Sequence, residues 1–189
     1  MIIDNSYWKR RNYMAELRIR GVSEKVRDSL LRPFLEEQGV YYERWEKSLT
    51  PLSYEDQLLL SGEEKAELLR IYEDSIADFA KRRGYKQWDI VILSEQTPDM
   101  LQKFGSLHYH LDDEVRIVLG GGGIFTIKGE GDTGYFELKA LPGDVVVVPA
   151  RRPHAFRLSE RPQFIVVRLF EGEASSITYK VEDPTYDVT

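Results

Sequence analysis

The stretch "LHYHLDDEVRIVLG", residues 107–120, is the most informative part of this 189-residue chain for both fold and chemistry. It contains two of the three histidines in the sequence, His108 and His110, followed by the acidic turn "LDD" and an apolar run that opens at Glu114. Side chains two residues apart point to one face of a β-strand, so the two imidazoles are predicted to project together. A second strand after the turn can bring the carboxylate of Glu114 back toward the same face. Arg116 shares the parity of Glu114.

The third histidine, His154, opens a later strand after "GDVVVVPARRP". If the strands close into a barrel, His154 can face His108, His110 and Glu114. Three imidazole nitrogens and one carboxylate suit a first-row divalent metal. Octahedral Fe(II), Mn(II) or Ni(II) would retain two open positions, as a catalytic site requires, and zinc is a less natural alternative. We therefore predict that these four residues bind one divalent ion per chain.

The second half of the chain has the pattern of a β-structure. Eight short candidate strands are separated by Gly, Pro and Asp. They are "WDIVILS", "LHYHL", "EVRIVLG", "GIFTIKG", "GYFELKAL", "DVVVVPA", "HAFRLS" and "QFIVVRLF". Many short strands in sequence predict a small β-barrel or sandwich, here with the helices placed N-terminally. The run "GGGG" at 120–123 is predicted to be a hairpin turn, since no Lys and Ser/Thr follow it as in a phosphate loop.

Two helices are predicted before the strands. The segment "SEKVRDSLLRPFLEEQGV" has Ser23 as a candidate cap, and Pro33 is expected to break or bend it. The segment "SGEEKAELLRIYEDSIADFAKRRGY" is predicted to be a single helix. Ser61 and Glu64 form a capping-box pattern at its start, and Gly84 ends it. Its apolar stripe is expected to pack on a sheet.

The domain organisation follows from these patterns. Residues 14–189 are predicted to form one domain, with a helical part at about 23–84, a barrel at about 86–171 and an extension at 172–189. Residues 1–13 form a basic, aromatic arm that the sequence allows to be disordered.

Composition excludes several classes of partner. The chain has 26 basic and 32 acidic residues and a formal net charge of −6, which argues against general binding to nucleic acid or to an anionic membrane. Its apolar runs are too short to span a bilayer. Without cysteine it has neither disulfides nor a thiolate nucleophile, which suits a reducing cytosol. We expect a cytoplasmic protein with a small-molecule partner, either a monomer or a small homo-oligomer.

The spacing of the candidate ligands resembles that of the cupins. The stretch "HYHLDDEVRIVLGG", residues 108–121, is similar to the first cupin metal motif, and "GDVVVVPARRPH", residues 143–154, is similar to the second. Arg151 stands where the second motif usually has glycine. The resemblance implies a mainly β fold with N-terminal α-helices, in which a double-stranded β-helix, a jelly-roll barrel, has helices packed outside.

A closer resemblance runs from about Glu16 to Phe170. The segments "GVYYERWE", "GYKQWDIVIL", "KFGSLHYHLDDEVR", "GDVVVVPARRPHAF" and "VVRLF" resemble, in that order, the acireductone dioxygenase family. The resemblance implies that His108, His110, Glu114 and His154 are metal ligands, that Arg116 is catalytic, and that Phe104, Phe156 and Arg168 bind substrate. The implied substrates are O2 and an acireductone, a methylthio-bearing enediol ketone of methionine salvage.

The resemblance also implies the cofactor and leaves alternatives open. Fe(II) would give formate and the keto acid precursor of methionine, whereas Ni(II) would give formate, carbon monoxide and methylthiopropionate; Mn(II) or Co(II) are substitutes. The chain departs from the family at Leu107, where Glu is usual, and at Ala155, where a larger residue is common. Another cupin enzyme, such as a sugar-phosphate isomerase or a different enediol dioxygenase, and a cupin that binds a metabolite without turnover remain alternatives.

Overall fold

The computed structural model describes residues 15–45, 54, 56–172 and 177–186. The predicted arm, residues 1–13, lies outside them. The described helices are α1 Asp28–Glu37, α2 Gly62–Ile71, α3 Glu73–Arg83 and α4 Pro98–Gly105. The described strands are β1 Glu16–Ile19, β2 Tyr41–Arg44, β3 Gln87–Ser94, β4 His108–Tyr109, β5 Glu114–Gly121, β6 Gly123–Lys128, β7 Tyr135–Ala140, β8 Asp144–Val148, β9 His154–Leu158, β10 Gln163–Phe170 and β11 Tyr179–Lys180. None of these helices is long and apolar enough to cross a membrane.

The strands form two antiparallel sheets that share one apolar core. The six-stranded sheet has the order β1-β7-β6-β9-β4-β11, and the five-stranded sheet has the order β2-β8-β5-β10-β3. Phe125 and Phe136 of the first sheet and Val146, Phe164 and Val166 of the second belong to one buried cluster. The predicted mainly β barrel is confirmed. All eight predicted strands are present, and β1, β2 and β11 are additional short strands at sheet edges.

The predicted helix at "SGEEKAELLRIYEDSIADFAKRRGY" is two helices. The capping box of Ser61 and Glu64 is confirmed, and Gly84 ends α3 with φ 86°. Between them the backbone leaves the helical conformation at Tyr72, with φ −107° and ψ 8°.

Both helices cover the outer face of the five-stranded sheet, as their apolar stripe predicted. Leu68 of α2 and Ile76 and Phe79 of α3 share a buried cluster with the outward side chains of the sheet, such as Val115 and Val145. Burial of this face leaves the alternate residues of the same strands for the barrel interior.

The prediction that Ser23 caps the first helix is wrong, because α1 begins only at Asp28. The preceding segment pairs with β1 instead: the Val26 N–H donates to the Leu17 carbonyl at 3.0 Å. Pro33 lies inside α1 without ending it. The helix packs against the edge strands β1 and β2.

The glycine run is a corner between the sheets, so the predicted hairpin turn is wrong. Strand β5 belongs to the five-stranded sheet and β6 to the six-stranded sheet, and Gly122 alone separates them. Gly121 has φ 72°, and a Cβ on Gly123 would lie 2.2 Å from the Phe156 ring. Glycine therefore permits both the turn and the close packing beneath it.

Candidate metal centre

Three strands from both sheets bring the predicted ligands together. His108 of β4 lies directly opposite His154 of β9 in the six-stranded sheet, and Glu114 opens β5 in the facing sheet. One nitrogen from each of His108, His110 and His154 lies within 4.8 Å of the others. All of these side chains are buried or nearly so. The cluster that the sequence predicted is thus assembled by the fold.

The backbone fixes the tautomer of each imidazole. Every Nδ1 of the cluster lies 2.7 Å from a main-chain carbonyl oxygen. The carbonyls are those of Ser106 for His108, Ile177 for His110 and Arg152 for His154. A carbonyl can only accept, so Nδ1 donates the proton and a neutral ring leaves the Nε2 lone pair directed inward.

Burial disfavours the protonated form of two of the imidazoles, His108 and His110. Burial, followed by the influence of His154, lowers the pKa of His108 to about 4. Burial also lowers the pKa of His110. Among the described residues, the Nε2 atoms of His108 and His110 have no hydrogen-bond partner. Buried nitrogens with free lone pairs are costly without a ligand, and a divalent ion would satisfy them.

Glu114 supplies the negative charge of the cluster. Its Oε2 lies 2.5 Å from His154 Nε2, and its Oε1 lies 3.9 Å from His110 Nε2. Burial would raise the pKa of Glu114, but the adjacent Arg116 guanidinium holds it well below its usual range. Three imidazole nitrogens and one carboxylate fit a divalent ion that prefers nitrogen and oxygen.

Arg116 lies beside Glu114 and borders a surface cleft. Its Nη2 contacts Glu114 Oε1, and its Nη1 donates to the Val115 carbonyl at 2.9 Å. The cleft has a volume of about 90 Å³, and its lining includes His110, Glu114, Arg116 and Arg168. A ligand in this cleft can therefore reach both the cluster and a buried cation.

Arg168 lines the same cleft but is already paired. Its Nε donates to Asp89 Oδ1 at 2.8 Å and its Nη2 to Asp89 Oδ2 at 2.5 Å. The guanidinium also lies 5.3 Å from the centroid of the Phe170 ring. This partner of Arg168 was not predicted from the sequence. The acidic residue lies one strand away, where Asp89 of β3 is directly opposite Arg168 of β10.

Phe104 and Phe156 lie in the barrel core and do not line the cleft. The Phe104 ring is 5.9 Å from the His108 ring, and Phe156 packs against the Phe125 and Phe164 rings at 5.2 and 4.8 Å. Phe104 thus borders the cluster at His108, whereas Phe156 packs among other phenylalanines of the core.

Leu107, Ala155 and Arg151 are the positions at which the chain departs from the family and cupin motifs, and each has different surroundings. Leu107 is buried, and its carbonyl accepts from the Val181 N–H at 3.1 Å. Ala155 alternates with the inward residues of β9, so it faces away from the cluster. Arg151 has φ 62°, a conformation that favours glycine, and its N–H donates to the His110 carbonyl at 2.7 Å.

The sequence and structure are similar to those of known enzymes. A family model described as the ARD/ARD' family matches residues 46–178. The acireductone dioxygenase of Geobacillus thermodenitrificans is 41% identical over 174 residues, covering 90% of this chain and 97% of the relative. The acireductone dioxygenase of Bacillus cereus is 38% identical over 161 residues, covering 83% and 94%.

A solved structure extends the similarity to the fold. The acireductone dioxygenase from Bacillus anthracis, with a cadmium ion in its active centre, aligns with a TM-score of 0.79 at 37% identity. The alignment covers 87% of this chain and 97% of that one.

Proposed function

This chain belongs to the acireductone dioxygenase family, and we propose that its three histidines and Glu114 hold the divalent metal with which it cleaves an acireductone using O2. The observation that carries the proposed site is the set of tautomers. Each imidazole donates through Nδ1 to the backbone, which directs the Nε2 atoms of His108, His110 and His154 toward one another and toward one carboxylate.

The metal would serve as a Lewis acid and as a template for the two oxygens of the enediol. Glu114 is held as an anion by Arg116, so the site offers the ion one negative charge as well as three imidazole nitrogens. A buried cation next to the cluster also favours an anionic substrate. The site therefore suits the enediolate form, which is richer in electrons than the neutral enediol and more reactive toward dioxygen.

Arg116 is proposed to be the catalytic cation. Its guanidinium borders the cleft and has more N–H donors than its contacts with Glu114 and Val115 use. The remaining donors can form charge-assisted hydrogen bonds to a substrate oxygen and stabilise negative charge there.

Arg168, Phe104 and Phe156 are proposed to bind and enclose the substrate. Arg168 is held at the cleft by Asp89, so it contributes positive charge with little freedom to move away. Phe104 lies beside the His108 ring, and Phe156 is buried two residues after His154 on β9, so both are proposed to keep water out of the core next to the cluster.

The native ion is proposed to be Fe(II) or Ni(II), with Mn(II) or Co(II) as substitutes. The Fe(II) form is expected to yield formate and the keto acid of methionine salvage, and the Ni(II) form to yield formate, carbon monoxide and methylthiopropionate. We place the protein in the cytoplasm, as one folded domain that acts as a monomer or a small homo-oligomer.

Product identification tests the proposed reaction. Purified protein would be stripped of metal, reconstituted without air with Fe(II) or Ni(II), and mixed with acireductone and O2. The expected result is the keto acid from the first form and carbon monoxide from the second. Metal binding and acireductone binding without any product would instead support a cupin that binds a metabolite without turnover, and turnover of a sugar phosphate alone would support an isomerase.

A further inference from the structure

The segment of residues 177–186, which we call the strap, lies along β4, the strand that contains the proposed ligand His108 and is directly followed by His110. Its strand β11 pairs with β4, with Tyr179 opposite Tyr109 and Lys180 opposite His108. The Tyr109 and Tyr179 rings stack with centroids 5.2 Å apart and an angle of 16°. Strand β4 has only two residues and pairs with β9 on one side. The strap pairs with its other side, so β4 lies between two strands.

One contact of the strap reaches the metal cluster itself. The Ile177 carbonyl accepts the Nδ1 proton of His110 at 2.7 Å. Ser106 and Arg152, the corresponding partners of the other two histidines, each lie two residues before the histidine they contact. Ile177 instead lies 67 residues away in sequence. The orientation of His110 therefore depends on a distant segment being docked.

The strap is anchored on the six-stranded sheet through Asp183. Its Oδ2 contacts the ammonium of Lys128 and accepts from the Tyr135 hydroxyl at 2.9 Å. Its Oδ1 accepts from the Thr185 N–H at 2.9 Å and from the Thr185 hydroxyl at 2.6 Å. These partners lie on β6, β7 and the strap, so one carboxylate fixes the strap to two strands of the barrel.

A second anchor follows Asp183. The Arg20 guanidinium donates to the Tyr186 carbonyl at 2.6 Å and lies 4.8 Å from the centroid of the Tyr186 ring. The Tyr186 ring also packs edge-on against Tyr135 at 5.1 Å. Docking of the strap is thus fixed on both sides of β11, by Ile177 at His110 and by these contacts on the sheet.

We infer that Asp183 is a positioning residue for the metal centre: it docks the strap so that the Ile177 carbonyl orients His110 toward the ion. The inference rests on the proposed metal site. Asp183 touches neither the cluster nor the cleft, so it acts through the backbone of the strap. Partners that orient a metal ligand typically change metal affinity about 10-fold to 100-fold when they are lost.

Titration of the metal-free protein with Co(II) tests this inference. The Asp183→Ala variant is expected to bind Co(II) about tenfold more weakly than the wild type, because His110 loses its fixed orientation. The visible absorption of the bound Co(II), which reports the ligand geometry, is expected to change as well. Asp183→Glu keeps the carboxylate and should recover part of the affinity.

Glu160→Gln is the matched control. The Glu160 carboxylate accepts at 2.6 Å from the ammonium of Lys139, which lies on β7 of the same sheet. This ion pair resembles that of Asp183 but does not involve the strap. Its loss should leave Co(II) affinity and absorption unchanged. If Asp183→Ala does not fold, Tyr179→Leu, which removes the ring stack with Tyr109, becomes the deciding variant and should show the same weakening.

The outcomes separate the two proposals. A wild-type chain that binds no Co(II) would contradict the proposed metal site. A wild-type chain that binds Co(II) while Asp183→Ala and Tyr179→Leu bind it equally well, with the same absorption, would overturn the role of the strap and leave the metal site intact.

Discussion

The guanidinium of Arg116 contacts the carboxylate of Glu114 on the inward face of β5. Both side chains are buried, and alternation along the strand places them on one side because they are two residues apart. The pair thereby connects a proposed metal ligand to the wall of the cleft. Arg116 has two roles in this account, which are to keep Glu114 anionic and to bind the negative charge of the substrate.

Replacement of Arg116 separates metal binding from turnover. Arg116→Met is expected to retain one metal ion per chain, because the four ligands remain. It should lower kcat/KM by at least about 100-fold, the usual effect of removing one donor that stabilises developing negative charge. Metal analysis and steady-state oxygen uptake measure the two quantities. Full activity in this variant would show that Arg116 is not the catalytic cation.

Arg168 is predicted to affect binding more than chemistry. Its guanidinium is held by Asp89 at the edge of the cleft, so Arg168→Met removes a fixed positive charge from the substrate path. We expect KM for acireductone to rise about tenfold with little change in kcat. This corresponds to the loss of about 1.4 kcal/mol of binding energy that acts equally on the substrate and the transition state. Arg161→Met, in the exposed turn before β10, is the control and should leave both constants unchanged.

The buried imidazole of His108 predicts a pH dependence of stability in the metal-free protein. Its pKa is about 4 in the folded chain and about 6.5 in an unfolded chain. Between these values the unfolded state binds a proton that the folded state does not. The free energy of unfolding should therefore fall as the pH decreases from about 6.5 to 4, by up to about 3 kcal/mol.

Urea unfolding at about pH 7, about pH 5.5 and about pH 4.5 measures this dependence. A chelator is present throughout to keep the protein free of metal. His108→Asn lacks the titrating ring and should show a shallower loss of stability over the same window. If the free energy of unfolding falls equally steeply with decreasing pH in the variant and in the wild type, His108 is not the source of the pH dependence.

The backbone at Arg151 predicts a ranking of substitutions. A residue with a Cβ costs about 1–2 kcal/mol at a positive φ such as the 62° found here. Glycine removes that cost and loses about 0.4–1 kcal/mol through the entropy of the unfolded chain. Arg151→Gly should thus be as stable as the wild type or slightly more stable, and Arg151→Val should be less stable by about 1 kcal/mol or more. Chemical denaturation measures the free energy of unfolding of both variants. A valine variant as stable as the glycine variant would show that the backbone at this position is not strained.

The features that the sequence predicted best are those with a short, repeated pattern. Alternation in the second half of the chain predicted eight strands, and the spacing of His108, His110 and Glu114 placed their side chains in one cluster. The capping box at Ser61 was also recognisable, because its signal is contained in four consecutive residues.

The features that the sequence did not predict depend on contacts between distant segments. The carbonyl of Ile177 and the carboxylate of Asp89 reach the site only after the sheets have formed. Ser23 has a side chain that can cap a helix, but the residues that follow it pair with β1, so the helix begins only at Asp28. Gly122 lies between two strands like a turn residue, and only the sheet order reveals that the chain changes sheets there.

Oxygen uptake by the Fe(II)-reconstituted protein on addition of acireductone shows whether the metal cluster supports the proposed dioxygenase reaction. The wild type is expected to consume O2, and His154→Ala, which removes one proposed ligand, is expected to lose both the metal and the uptake. Arg157→Ala, an exposed residue of the same strand, should retain both. Uptake by His154→Ala at the wild-type rate, or no uptake by a wild-type chain that holds the ion, would contradict the account.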